Sequence, residues 1–280
     1  MVKLLYLLYL IKIGFCGCKA DHRRDNYERS RSSYKVTKIG KLDDLANESS
    51  GLARVANKNT YWTHNDSGGS NELYEINSSG EVIGTRVIPN SKNIDWEDLA
   101  QAPDGTLFIG DIGNNGNRRR DLTIYRYHPD SAQVHQIRFG YADQREFPPP
   151  TDQLNFDCEA FFYLNDALYL FSKNRSESNK HVKLYKLPAL AGDFIATPQD
   201  SIVIPEQVTS ADVSPDGKTF ALLTYGKIFL FSITGGEVNF SQPKACIPFA
   251  KKQTEAILFL TNTDLMVTNE QKQIFRITAR

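Results

Sequence analysis

The 280-residue chain sets 33 Lys and Arg against 33 Asp and Glu, so its formal charge is zero and no global basic field draws it to nucleic acid. Hydrophobic residues at 40% and charged residues at 24% describe a globular protein with enough chain to bury a core. Tyr and Phe fall in short runs with Leu, Ile and Val, which favours β structure over helices.

The N-terminus opens with Lys3 and an apolar stretch, Leu4 to Ile13, interrupted only by Lys12. That stretch is too short to span a bilayer as a mature helix and suits a signal peptide. Gly17-Cys18 resembles the end of a bacterial lipobox, with Cys18 as the acylated residue, although Phe15 and Cys16 depart from its upstream positions. Residues 1–18 are therefore expected to be a signal peptide and lipobox. The protein is then anchored to a membrane through lipid on Cys18, in the cell envelope at the periplasmic or outer-membrane surface; plain secretion is the alternative. Residues 19–35, with Arg23, Arg24, Arg29 and Arg31 and almost nothing apolar, are expected to form a flexible tether. Cys158 and Cys246 read as lone buried residues, and no Cys/His spacing suits zinc.

From residue 36 onward the chain repeats. A small or acidic pair followed by an aliphatic or aromatic residue recurs at Ser50-Gly51-Leu52, Glu97-Asp98-Leu99, Glu159-Ala160-Phe161, Ala211-Asp212-Val213 and Glu255-Ala256-Ile257, at spacings of 47, 62, 52 and 44. A second apolar run follows each anchor, such as Leu107-Phe108-Ile109 and Leu168-Tyr169-Leu170-Phe171. A third follows a turn, as in Glu72 to Ile76 and Ile228 to Phe231, and four units add a fourth strand. Turn signals such as Asp104-Gly105 and Asp216-Gly217 separate them. Four antiparallel strands every 40–50 residues predict a β-propeller blade. The fifth unit stops after three strands, and Val36 to Leu42 has no unit of its own. The expected domain, residues 36–280, is an all-β, five-bladed propeller of four-stranded blades, closed by its N-terminal strand. A six-bladed propeller and a large β-sandwich are the alternatives; the sandwich does not explain the repeat.

In a propeller the starts of the first strands and the ends of the second strands share one rim. That places Glu48, Asp95, Glu97, Asp98, Asp157, Glu159, Asp212 and Glu255 together with His64-Asn65-Asp66, Asp111, Asn114, Lys173-Asn174-Arg175 and Asn269-Glu270. Glu97, Glu159 and Glu255 hold the same repeat position and are expected to converge near the axis. Convergent carboxylates need a proton or a cation among them, and oxygen donors suit Ca²⁺. The competing role for each acid is to accept backbone N–H bonds in its own loop. His64 and Asp111 are the candidate catalytic groups, His64 as a general acid–base. Asn65, Asp66, Trp96, Asn114, Lys173, Asn174 and Arg175 are the candidate ligand-binding residues. Trp96 either packs between blades or floors a ligand site.

The set Trp62 to Gly68, Asp95 to Ala100, Gly110 to Asn114 and Thr209 to Gly217 resembles a group of secreted bacterial propeller-like proteins, over residues 45–278. The blade pattern is also similar to the SdiA-regulated family, which implies a cell-envelope propeller. A fainter similarity is to the calcium-activated nucleotidases, five-bladed propellers with a central Ca²⁺. That resemblance carries over only Glu97, Glu159 and Glu255, as metal-shell residues. The expected function is a binding module that holds a small molecule or a protein partner at the acidic channel rim, acting as a monomer. The alternative is a Ca²⁺-dependent hydrolase of a phosphoester or lactone.

Overall fold

The structure, a computed structural model, describes residues 17–29, 33–249 and 253–280. The signal segment therefore lies almost wholly outside the described residues. Two strands precede the first blade: β1 (Glu28–Arg29) and β2 (Tyr34–Lys41). Blade one is β3 (Ser49–Arg54), β4 (Tyr61–Asn65), β5 (Glu72–Ile76) and β6 (Val82–Val87). Blade two is β7 (Trp96–Gln101), β8 (Leu107–Asp111), β9 (Leu122–His128) and β10 (Gln133–Tyr141). Blade three is β11 (Asp157–Leu164), β12 (Ala167–Lys173), β13 (His181–Pro188) and β14 (Gly192–Val203). Blade four is β15 (Val208–Val213), β16 (Thr219–Thr224), β17 (Gly226–Ser232) and β18 (Pro243–Phe249). Blade five is β19 (Thr254–Phe259), β20 (Leu265–Asn269) and β21 (Gln273–Ala279), and β2 pairs antiparallel with β21 to complete it.

The innermost strands pack in a closed cycle, β3 on β7, β7 on β11, β11 on β15, β15 on β19 and β19 back on β3. The five-bladed propeller closed by its N-terminal strand is thus the fold. Burial follows strand position. In β8, β12 and β16 every residue is buried, because these strands lie between neighbouring blades, whereas β10 and β14 alternate along their outer faces. The long interval after Glu97 is absorbed without a sixth blade. Its strand β10 runs parallel to the first half of β14, while the second half of β14 pairs with β13, so blades two and three share one sheet.

All five inner strands carry a β-bulge near their start. The register slips between Ser49 and Gly51, Trp96 and Leu99, Cys158 and Ala160, Val208 and Ser210, and Thr254 and Ala256. The extra residue is Ser50, Glu159, Thr209 and Glu255 in four blades, and the pair Glu97-Asp98 opposes a single residue in the other. A bulge inserts an unpaired residue and re-aims its side chain. The three Glu residues that share a repeat position are therefore the residues the backbone turns out of the ladder.

Residues 19–29 are not a free tether. Cys18 forms a disulfide with Cys246 of β18, a helix α1 (Lys19–Asp25) follows, and β1 pairs parallel with β18. Tyr27 is buried against the rings of Phe229 and Phe231, at centroid separations of 5.2 and 5.5 Å. The sequence hides this because the segment's one large apolar residue is diluted among charges. The disulfide also corrects the expected lipidation of Cys18. Acylation uses the cysteine sulfur, and here that sulfur is bonded to Cys246, which is accordingly not a lone cysteine. Cys158 remains free and buried, and burial pushes its thiol up to about 12.

Candidate functional site at the channel mouth

Buried side chains bond the inner strands of different blades to one another. Asp98, fully buried, reaches across from blade two. It accepts hydrogen bonds from Phe161 N of blade three at 3.3 Å, and from Ala211 N and Ser210 Oγ of blade four at 3.1 and 3.0 Å. Ser210 Oγ in turn accepts from Ile257 N of blade five at 3.1 Å. Ser49 Oγ joins Thr63 and Thr268 at 2.7 and 3.3 Å, tying blade one to blade five. Asp98 does bond neighbouring backbone N–H groups and holds blades in register.

Above that layer the acids divide into two groups. Glu159 is ion-paired with the buried ammonium of Lys173, and its other oxygen accepts from Arg175 Nη2 at 2.8 Å. Arg175 also holds Asp157 at 2.7 Å. Tyr225 Oη lies 3.4 Å from both Lys173 Nζ and Glu255 Oε1. Burial works against the Lys173 charge, but Glu159 and Glu255 outweigh it and its pKa is raised. Glu159 and Glu255 thus face a resident cation supplied by the chain itself.

The second group is Asp66, Asp95 and Glu97, each of which offers a carboxylate oxygen within 4.8 Å of the others. Asp66 and Asp95 are half-buried and Glu97 is 6% exposed. Among the described residues Glu97 has no hydrogen-bond partner. Gly113 lies directly against the group: a Cβ there would overlap Glu97 Oε1 and the Asp95 carboxylate. Burial lifts Glu97 well above the usual carboxylate range, reinforced by Glu159, Asp66 and Asp157. Burial and the charges of Asp66 and Asp157 raise Asp95 to about 6, while burial opposed by Lys173 raises Glu159 to about 7. Three acids on two loops and a bulge, with oxygen donors alone, fit a hard divalent cation better than zinc.

The other sequence candidates are placed as follows. His64 is fully buried under the rim, its Nδ1 2.9 Å from Asn65 O and its ring edge-on to Trp96 at 5.5 Å. Burial lowers its pKa to about 4, so the ring is neutral and walled in. Trp96 is fully buried between blades one and two, and its Nε1 donates to Lys92 O at 2.8 Å; of its two expected roles it fills the packing one. Asp111 accepts from Arg119 Nη1 and from the Asp95 N–H, both at 3.0 Å, and so positions Asp95 rather than facing the mouth. Asn65 bonds Leu45 O and Glu48 N, Asn174 bonds His181 O and Ser176 N, and Asn114 bonds Phe156 O and the amides of Arg118 and Arg119. All three amides are spent on loop backbone.

Sequence reasoning placed Asp95 on the rim but not among the metal ligands, and did not assign Arg119 as its support. The signal is present in part: Asp95 stands two residues before the bulged Glu97, but Arg119 is hidden in the run Arg118-Arg119-Arg120.

No protein-family model matches the chain, and no curated protein matches it in sequence, so the resemblances to the SdiA-regulated and calcium-activated nucleotidase propellers gain no support there. Solved structures do match. A putative gluconolactonase is similar with a TM-score of 0.51 at 12% identity, over 92% of this chain and 96% of that one. Virginiamycin B lyase from Staphylococcus aureus is similar with a TM-score of 0.42 at 14% identity, over 85% of this chain and 69% of that one. Hydrazine synthase from Kuenenia stuttgartiensis gives 0.42 at 13% identity, over 81% and 57%. The likeness to the gluconolactonase shows the fold, a β-propeller, and the fold alone.

Proposed function

We propose that the channel mouth holds a divalent cation, Ca²⁺, on Asp66, Asp95 and Glu97, and that the cation receives a small anionic, oxygen-rich ligand. The observation that carries this is the convergence of three carboxylates, with oxygens within 4.8 Å of one another, around Glu97, a residue 6% exposed that has no hydrogen-bond partner for its carboxylate among the described residues. Carboxylates this close repel one another unless a proton or a cation sits among them. Glu159 and Glu255 belong to the same mouth but are served by Lys173, so the metal reading rests on Glu97 with Asp66 and Asp95. The protein acts as a monomeric binding module exported to the cell envelope or beyond; the Cys18–Cys246 disulfide supports an oxidising compartment.

The alternative, a hydrolase of a phosphoester or lactone, would use the same cation to polarise its substrate. His64, enclosed and neutral, does not serve it as an acid–base group, and binding is the better-supported function.

Calorimetric titration of chelator-treated protein with CaCl₂ is the test. An affinity in the ~10⁻⁴–10⁻³ M range typical of extracellular modules is expected. Glu97→Gln should abolish the heat of binding while leaving the fold intact. No calcium binding by the native protein at millimolar concentration would end the proposal.

A further inference from the structure

The segment that joins the disulfide to the propeller does more than cover an edge. Cys18, at 7% exposed, is bonded to the fully buried Cys246. Three residues on, Asp21 is buried and its Oδ2 lies 2.8 Å from Lys227 Nζ. Lys227 also pairs with Glu206 at 2.8 Å. Arg24 Nη2 donates to Val203 O of blade three at 2.9 Å, while β1 pairs with β18 of blade four. Residues 18–29 therefore straddle the seam between blades three and four.

That seam leads to the mouth. Glu206 sits on the short connection between β14 and β15. Its neighbour Gln207 accepts from Tyr225 N at 3.2 Å and lies 3.5 Å through its Nε2 from Asn174 O. Tyr225 and Lys173, the residue before Asn174, face each other at the mouth beside Glu255. A continuous set of bonded groups thus runs from Asp21 through Lys227 and Glu206 to the connection that carries Gln207, and from there to the resident cation.

We infer that residues 18–29 are a thiol-controlled strap, which the Cys18–Cys246 disulfide holds in place and which props the blade three–four connection against the channel mouth. Reduction by a dithiol breaks the S–S bond, forms two thiols and closes the dithiol to its own cyclic disulfide, a transfer of two electrons and two protons. Among the described residues the freed strap keeps a two-residue ladder, Tyr27, the Asp21 ion pair and the Arg24 bond to Val203 O, too little to hold a segment of this length against its chain entropy. Its release removes Asp21 from Lys227, leaves Glu206 as the ammonium's remaining carboxylate among these three, and loosens the connection next to Tyr225.

The strap itself does not depend on cation binding; the consequence for the mouth rests on the function proposed above. The full chain is compared oxidised and after native-state treatment with dithiothreitol, with alkylation of Cys18 and Cys246 confirmed by mass. Brief trypsin treatment should cut at Arg23 and Arg24 about tenfold faster in the reduced form. Hydrogen exchange should rise about tenfold or more in peptides covering 204–207 and 225–227, with 96–101 unchanged. Calcium affinity, where the oxidised protein binds calcium, should fall several-fold. Asp21→Asn keeps the disulfide: it should raise exchange at 204–207 while Arg23 and Arg24 stay protected, which separates propping from locking. A strap that resists trypsin after confirmed reduction overturns the latch. Unchanged exchange at 204–207 in both the reduced protein and Asp21→Asn overturns the coupling. Failure of the oxidised protein to bind calcium sinks the proposed function and leaves the strap standing on its proteolysis and exchange.

Discussion

The buried ammonium of Lys173 is ion-paired with Glu159, the residue that the bulge of β11 turns out of its ladder. The same lysine lies near Glu255, the bulged residue of β19 two blades along the ring. The chain thus answers the convergence of two equivalent acids with a cation of its own, whose charge also reaches Glu97 and Asp66, while Glu97 clusters with Asp66 and Asp95.

Removing that cation should be costly. Lys173→Met leaves Glu159 with Arg175 alone and Glu255 without its cation, and breaking one side of a buried pair costs about 3–5 kcal/mol. Denaturant unfolding at pH 8 should show that loss. The double variant Lys173→Met/Glu159→Gln should recover a large part of it, because the uncompensated charge is gone. A Lys173→Met protein as stable as the native one would mean that water already serves the two acids.

Most of the fold is legible in the sequence, because a propeller states its pattern five times and each unit can be checked against the others. The anchor at Glu159-Ala160-Phe161 reads against Glu97-Asp98-Leu99 and Glu255-Ala256-Ile257, and the unpaired Val36 to Leu42 marks the closing strand. The site is legible only as a rim. Which acid meets Lys173 and which meets Asp95 depends on bulge geometry and on Arg119 reaching Asp111, neither of which leaves a periodic trace. The disulfide escapes a sequence reading for a related reason: Cys18 and Cys246 are 228 residues apart, and the fold alone brings them together. Trp96 and His64 illustrate the opposite failure, in which chemically expressive residues next to the rim turn out to be packing.

Gly113 tests the cation cluster without changing any ligand. A Cβ at this position would overlap Glu97 Oε1 and the Asp95 carboxylate, so Gly113→Ala should push the two acids apart. Native protein at a calcium concentration about 100 times Kd should gain about 2.7 kcal/mol. The Gly113→Ala protein should lose most of that gain in thermal melts, with a smaller change in its calcium-free stability. An undiminished calcium response would remove Asp95 and Glu97 from the cation's coordination.

Asp98 should prove indispensable to the ring. It accepts from two backbone N–H groups of other blades and from Ser210, and an amide in its place would turn an NH₂ group toward donors. Asp98→Asn should therefore cost about 2–4 kcal/mol through unsatisfied buried donors, measured in denaturant with no calcium present. Ser210→Ala, which removes a single donor and also frees Ile257 N, should cost less, about 1–2 kcal/mol. Equal effects of the two would place the weight of the cross-axis bonding on the hydroxyl rather than on the carboxylate.

The pH dependence of stability follows from acids whose folded pKa values lie above their unfolded ones. Asp95 at about 6, Glu159 at about 7, and Glu97 and Glu255, both raised by burial, all keep protons in the folded state that the unfolded chain gives up near pH 4. The native protein therefore binds more protons than the unfolded one between about pH 4 and 7, and stability falls as pH rises through that window. Calcium reverses part of this, since a cation compensates the carboxylates once their protons leave. Melting temperatures of calcium-free protein should decline from pH 5 to pH 8, and saturating calcium should flatten the decline, with its largest effect at pH 8. Glu97→Gln should flatten the calcium-free profile by itself, because the amide carries no proton to lose. A calcium-free protein that grows more stable from pH 5 to pH 8 would show that the mouth acids are already compensated, and that Lys173, Arg175 and Arg119 suffice for all of them.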